Sequence, residues 1–142
     1  MADVAVVRKR VKVAIEQARR DQAERRDRVA EARKAYQTFL DTAAIPVFRM
    51  FANVMKSEGL HFEVMTPADG VRLQSERNRE DAIEMELDTT ADPPQPLVTI
   101  TRVRGSRVVQ RDRSIKGSNP LVQLTEDDVI EMLLEELRPW LV

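Results

Sequence analysis

VAVVRKRVKVAIEQARRDQAERRDRVAEARKAYQTFLDTAA, residues 4–44, decides the architecture. It holds no Gly and no Pro, and strong helix formers (Ala, Arg, Lys, Glu, Gln) fill most of its positions. As one helix it would be roughly 60 Å long at 1.5 Å per residue, too long for a chain of 142 residues to bury entirely. Apolar or small side chains recur at Val4, Val7, Val11, Ala14, Ile15, Ala18, Val29, Ala32, Tyr36, Phe39 and Ala43. That alternating three-and-four spacing makes a narrow seam of the kind along which helices wrap each other. Gln22 and Arg25 interrupt its middle. Glu16–Arg20, Asp21–Arg25 and Glu24–Arg28 have the favourable acid-then-base i,i+4 order. Two readings stay open: a coiled-coil arm, or an amphipathic helix lying across its own domain. On the first, the chain forms a homodimer through Val4, Val7, Val11, Ile15, Ala18, Val29, Tyr36 and Phe39. Residues 1–44 are then the arm, and residues 45–142 an α+β globular domain.

Beyond the arm, Pro46 predicts a kink or break near Ala44–Ile45. Val47 to Glu58 is a second short helix, apolar around more than half its circumference and expected to be buried, with Gly59 as its stop. The hydrophobic period then changes from 3.6 to 2. Strands are predicted from Leu60 to Met65, around Val71–Ser75, over Ile83–Leu87, from Leu97 to Arg104 and from Arg107 to Arg113. Pro67-Ala68-Asp69-Gly70 and Gly105-Ser106 are turn chemistry, and Thr89 to Pro96 is an extended loop. Thr125 caps a last helix with Glu126, Asp127 and Asp128 on its first turn. Val129, Ile130, Leu133, Leu134, Leu137, Trp140 and Leu141 form its apolar stripe, with Glu131, Glu135 and Glu136 facing out. The fold class is α+β: a long N-terminal helix, a second short helix, a five-stranded antiparallel meander and a C-terminal amphipathic helix packed on the sheet.

The chemistry-bearing residues exclude more than they offer. Cysteine is absent and His61 is the single histidine, so thiolate catalysis and Cys-type zinc sites are ruled out. Acids such as Glu84, Glu86 and Glu135 have a solvated face as their simplest explanation. Four glycines and no phosphate-binding fingerprint leave no cradle for a nucleotide. The expectation is a protein that is not an enzyme and has no cofactor and no metal. No apolar run reaches membrane-spanning length, and Arg8-Lys9-Arg10 leads into a charged helix rather than a signal peptide, so a cytoplasmic protein without membrane contact is expected.

Charge is more informative. The formal net charge of −1 conceals eleven Lys/Arg against six Asp/Glu in residues 1–40, and one Arg against six acids in residues 121–142. Lys12, Arg19, Arg26 and Arg33 recur every seven residues and form a basic stripe beside the seam. A hairpin turning at Gly105-Ser106 puts Arg102, Arg104, Arg107, Arg111 and Arg113 on one face with Val98, Ile100 and Val109, and that face is expected to be the wet one. Lys116-Gly117-Ser118-Asn119 carries the basic character into a loop. Such a surface fits an acidic protein partner, and alternatively a nucleic-acid backbone. The functional expectation is a protein–protein interaction or adaptor module that self-associates through the N-terminal helix. The alternative is a nucleic-acid-associated protein using the arginine hairpin and the helix stripe.

Overall fold

The computed structural model describes residues 3–117 and 120–142. Helix α1 (Val4–Phe39) is capped by Asp3, whose side chain accepts from the Ala5 N–H at 3.0 Å. Of the kink or break expected near Ala44–Ile45, the break does not occur. The helix passes through one π-helical turn, Leu40–Ala44, directly into α2 (Ile45–Ser57). In that turn the Ile45 N–H donates to the Leu40 carbonyl, one residue further back than in an α-helix. Pro46 then falls in the first turn of α2, where a missing N–H and a fixed φ are tolerated. Gly59, at φ +84°, ends the helix.

Five strands follow in spatial order β1-β2-β3-β4-β5, every neighbouring pair antiparallel. They are β1 (Phe62–Met65), β2 (Gly70–Ser75), β3 (Ala82–Asp88), β4 (Gln95–Arg104) and β5 (Arg107–Arg113). The meander is the expected one, with β1 starting two residues later and β4 two residues earlier than the sequence indicates. Gly70 is required by packing, because a Cβ there would lie 2.8 Å from the Met85 carbonyl oxygen. One sheet face carries Phe62, Val71, Leu73, Ile83, Met85, Val98 and Ile100, all buried against the helices. The other face is polar and uses cross-strand pairs: Arg72 with Glu84 at 2.8 Å, Gln74 with Glu63 at 2.7 Å and Thr99 with Asp112 at 3.0 Å.

The core begins before residue 45. Tyr36, Phe39, Leu40, Ala43 and Ala44 are buried together with Val47, Phe48, Ala52 and Met55, so the last two turns of the expected arm belong to the globular body. Helix α2 is buried on one face only; Met50 and Val54 are exposed.

Helix α3 (Glu126–Leu137) closes over the sheet through Val129, Met132, Leu133 and Leu137. Its stripe is rotated from the expected one. Met132 is core, Leu134 and Leu141 are exposed, and Glu136, expected to face water, is buried. The N-terminus of α3 is a reciprocal cap: the Asp128 N–H donates to Thr125 Oγ1 and the Thr125 N–H donates to an Asp128 carboxylate oxygen at 2.9 Å. That Thr125 N–H holds the Asp128 carboxyl below its ordinary value of 3.8; partial burial opposes it, and Lys116 at 3.2 Å supports it. A carboxyl depressed in the folded state contributes stability above about pH 4, and the contribution is lost as pH falls through the folded value. Thr125→Ala, which removes the cap hydroxyl and keeps the backbone N–H, should cost about 1 kcal/mol in denaturant melts at neutral pH. Asp128→Asn should be destabilising at pH 7, and its difference from wild type should shrink in melts at pH 3.

Candidate interaction site

Each surface singled out by the sequence has a definite place on this scaffold. From residue 3 to residue 28, α1 is exposed on all sides. Its root is tied to the body by polar contacts: Arg25 Nη2 donates to the Thr89 carbonyl at 3.0 Å, and Arg28 pairs with Asp92 at 3.5 Å. Arg33 lies 4.0 Å from Asp69. Among the described residues nothing covers the arm beyond that root, and Val4, Val7, Val11 and Ile15 are all exposed.

The expected self-association residues therefore divide. Val4, Val7, Val11, Ile15 and Ala18 are exposed and lie on one seam, whereas Val29 is half-buried and Tyr36 and Phe39 are buried within their own chain. Burial pushes the Tyr36 phenol well above its ordinary value, with Glu86, Asp69 and Glu84 adding to the effect. The two competing readings of the long helix each hold over part of its length. The C-terminal stretch packs on its own domain, and the N-terminal stretch leaves it.

The arginine hairpin has the expected register, Arg104 opposite Arg107, Arg102 opposite Val109, Ile100 opposite Arg111 and Val98 opposite Arg113. The expectation that its arginine face is the wet one is overturned. That face is continuous with the core side of the sheet, because Val98 and Ile100 on it are buried. Past the core the arginines meet α3. Arg113 Nη1 bonds Glu135 at 2.7 Å and Glu136 at 3.1 Å, and Arg111 also pairs with Glu136. Burial works against the Arg113 charge, but the hydrogen bonds it donates to Glu135 and Glu136 outweigh that and hold its pKa above the ordinary value. The Arg102 guanidinium lies 5.7 Å from the centre of the Trp140 ring, which itself packs edge-on against Phe62 at 5.8 Å. Only Arg104 and Arg107, at the tip, are fully exposed members of the five without such a contact among the described residues. Of the basic stripe, Lys12, Arg19 and Arg26 are exposed on the arm. Lys116 reaches Asp128, while Ser118 and Asn119 lie outside the described residues.

One surface escaped the sequence reading. An open groove of about 680 Å³ lies between α2 and α3, lined by Met50, Phe51, Val54 and Leu60 on one side and Ile130, Leu134, Leu137 and Leu141 on the other. Glu58 stands in its wall as the one charged side chain. The sequence hides the groove because α2 is apolar around more than half its circumference, which reads as burial. The signal that could have found it is excess: Met50, Val54 and Leu134 are more apolar surface than one sheet face can cover.

His61 is exposed just before β1. Among the described residues no cluster of three or more His, Asp or Glu is placed to hold a metal ion, and no helix is long and apolar enough to cross a membrane. No protein-family model, no curated protein and no solved structure matches this chain.

Proposed function

We propose that this is a non-catalytic protein–protein interaction module that associates with itself through its N-terminal helix. The observation that carries the reading is the exposed seam Val4, Val7, Val11 and Ile15 on an arm that touches its own domain only at its root. Leaving four such side chains in water forgoes roughly 1.5 kcal/mol for each, and a second copy supplies an apolar surface in proportion to concentration. The alternative, a phosphate-binding protein, draws its support from Lys12, Arg19 and Arg26 on the arm and from Arg104 and Arg107 at the hairpin tip, since Arg102, Arg111 and Arg113 are engaged within the chain. Its signature is duplex binding that weakens steeply with salt.

Light scattering tests the leading reading. The wild-type chain should have twice the monomer mass, and Val7→Asp with Val11→Asp should be monomeric at the same concentration with an unchanged melting temperature. Both positions are solvent-exposed, so the substitutions do not touch the core. A monomeric wild type, or a doubly substituted chain that remains dimeric, would refute self-association through the arm.

A further inference from the structure

We infer that the arm of one chain seats in the groove between α2 and α3 of a second copy. The inference rests on the self-association proposed above and specifies where the arm goes.

Two arms facing each other make a poor contact. The free seam runs from Val4 to Ala18, about two heptads, before Gln22 and Arg25 interrupt it, and stable coiled coils generally need three or four. Four valine-sized side chains on each arm yield an apolar gain comparable with the roughly 4–15 kcal/mol that association costs. A tighter complement is needed, and the groove provides one.

Its dimensions fit. The α3 wall extends from Ile130 past Leu137 to Leu141, about three helical turns, and Val4 to Ile15 is also about three turns. A helix laid in it would have apolar walls on both sides, the usual way an amphipathic helix is held. Charge fits as well. Glu58 lines the groove, and Asp127 and Glu131, each three residues before Ile130 and Leu134, flank it along the exposed side of α3. Arg138, three residues before Leu141, is a cation at its far end, so the flank is acidic along the stretch from Asp127 to Leu134. On the arm, Arg8 and Lys12 flank the seam one residue after Val7 and Val11. Cations beside an apolar seam and acids beside an apolar groove bring opposite potentials together.

The occupant is not the chain's own arm. Ile15 and Met50 belong to one continuous helix and are about 50 Å apart along it. Reciprocal exchange lets each of two chains give an arm and receive one, so the contact closes on itself and is made twice. Doubling brings the buried area toward the ~1,200–2,000 Å² of a stable interface.

Complementation between two full-length variants tests this. Val54 is 62% exposed and Leu134 46% exposed, so Val54→Lys with Leu134→Lys spoils the groove from outside the core. Val7→Asp with Val11→Asp spoils the arm. Each variant alone should be monomeric by light scattering. An equimolar mixture should recover a heterodimer at a higher concentration than the wild type needs, because one intact arm in one intact groove is half of the reciprocal contact. A folded groove variant that stays dimeric while the arm variant is monomeric overturns the inference and leaves arm-mediated association standing. Two monomeric variants whose mixture, across the concentration range scanned, associates no more than either variant alone also overturn it. An arm variant that is still dimeric refutes the underlying reading as well. Should the lysines lower the melting temperature, the exposed charges decide instead. Glu131→Lys should weaken dimerisation about tenfold, and adding Arg8→Glu and Lys12→Glu should restore it; equal affinity in all three forms overturns the proposal.

Discussion

Leu133→Ala should lower the unfolding free energy by about 2–5 kcal/mol, the range for a Leu whose removal leaves a cavity, while Leu134→Ala should change it by less than about 1 kcal/mol. The two residues are adjacent and chemically identical. Leu133 is completely buried among the core side chains of the sheet and α2, whereas Leu134 is 46% exposed on the groove wall. An exposed truncation removes little transfer energy and leaves no void. Glu131→Ala, one turn away in water, should stay within about 0.5 kcal/mol. Urea melts of the three variants, run at a concentration where the chain is monomeric, check the assignment of the α3 face. Equal losses at Leu133 and Leu134 would mean that α3 is rotated relative to the position described.

The second large effect is expected at Glu136. Its side chain is only 8% exposed and accepts from both Arg111 and Arg113. Removing one partner of a buried pair typically costs about 3–5 kcal/mol, because the other charge is left without compensation. Here Arg111 is 58% exposed and can turn to water, and Arg113 retains Glu135 at 2.7 Å. Glu136→Gln should therefore cost about 2 kcal/mol, less than that range. Arg113→Met should cost a similar amount. The double variant Glu136→Met, Arg113→Met should lose clearly less than the sum of the corresponding single changes, since neither partner is then stranded. Arg104→Gln with Arg107→Gln, at the hairpin tip, serves as the control and should be near neutral. Additive losses at Glu136 and Arg113 would show that the two side chains do not share one contact.

These two helix positions also show what the sequence could and could not reveal. Element types and order were legible from periodicity and punctuation: the change from 3.6 to 2 after Gly59, the turn residues at Gly70 and Gly105, the cap at Thr125. The hairpin register followed from its two-residue turn. Which face of the hairpin meets the core did not follow from the arginines, although Val98 and Ile100, buried with the same parity, carried that information against Thr99 and Thr101. Five guanidiniums on one face suggest a wet surface and mask the apolar parity beneath them, yet three of them turn back onto α3 and Trp140. Glu136 is hidden in the same way. A carboxylate within a stripe reads as solvent-facing until its arginine partners, 23 and 25 residues away in sequence, are brought beside it. The groove was illegible for a different reason: it is a property of the space between α2 and α3, and no periodicity within either helix encodes it. The extent of the free arm was legible only in part, since seam spacing is the same whether the neighbour is the chain's own body or another molecule.

The π turn at Leu40–Ala44 gives the arm a compass bearing. One extra residue in a helical turn rotates everything on one side of it by about 100° relative to an uninterrupted α-helix. The heading of the valine seam is therefore set at a point remote from the seam and separable from its composition. Shortening that turn by one residue would swing the seam through more than a quarter of a circle while leaving every valine in the chain, and it would carry Tyr36 and Phe39 out of the core at the same time. Chemistry resides in one part of the helix and aim in another, and the buried Tyr36 and Phe39 between them lock the aim to the core.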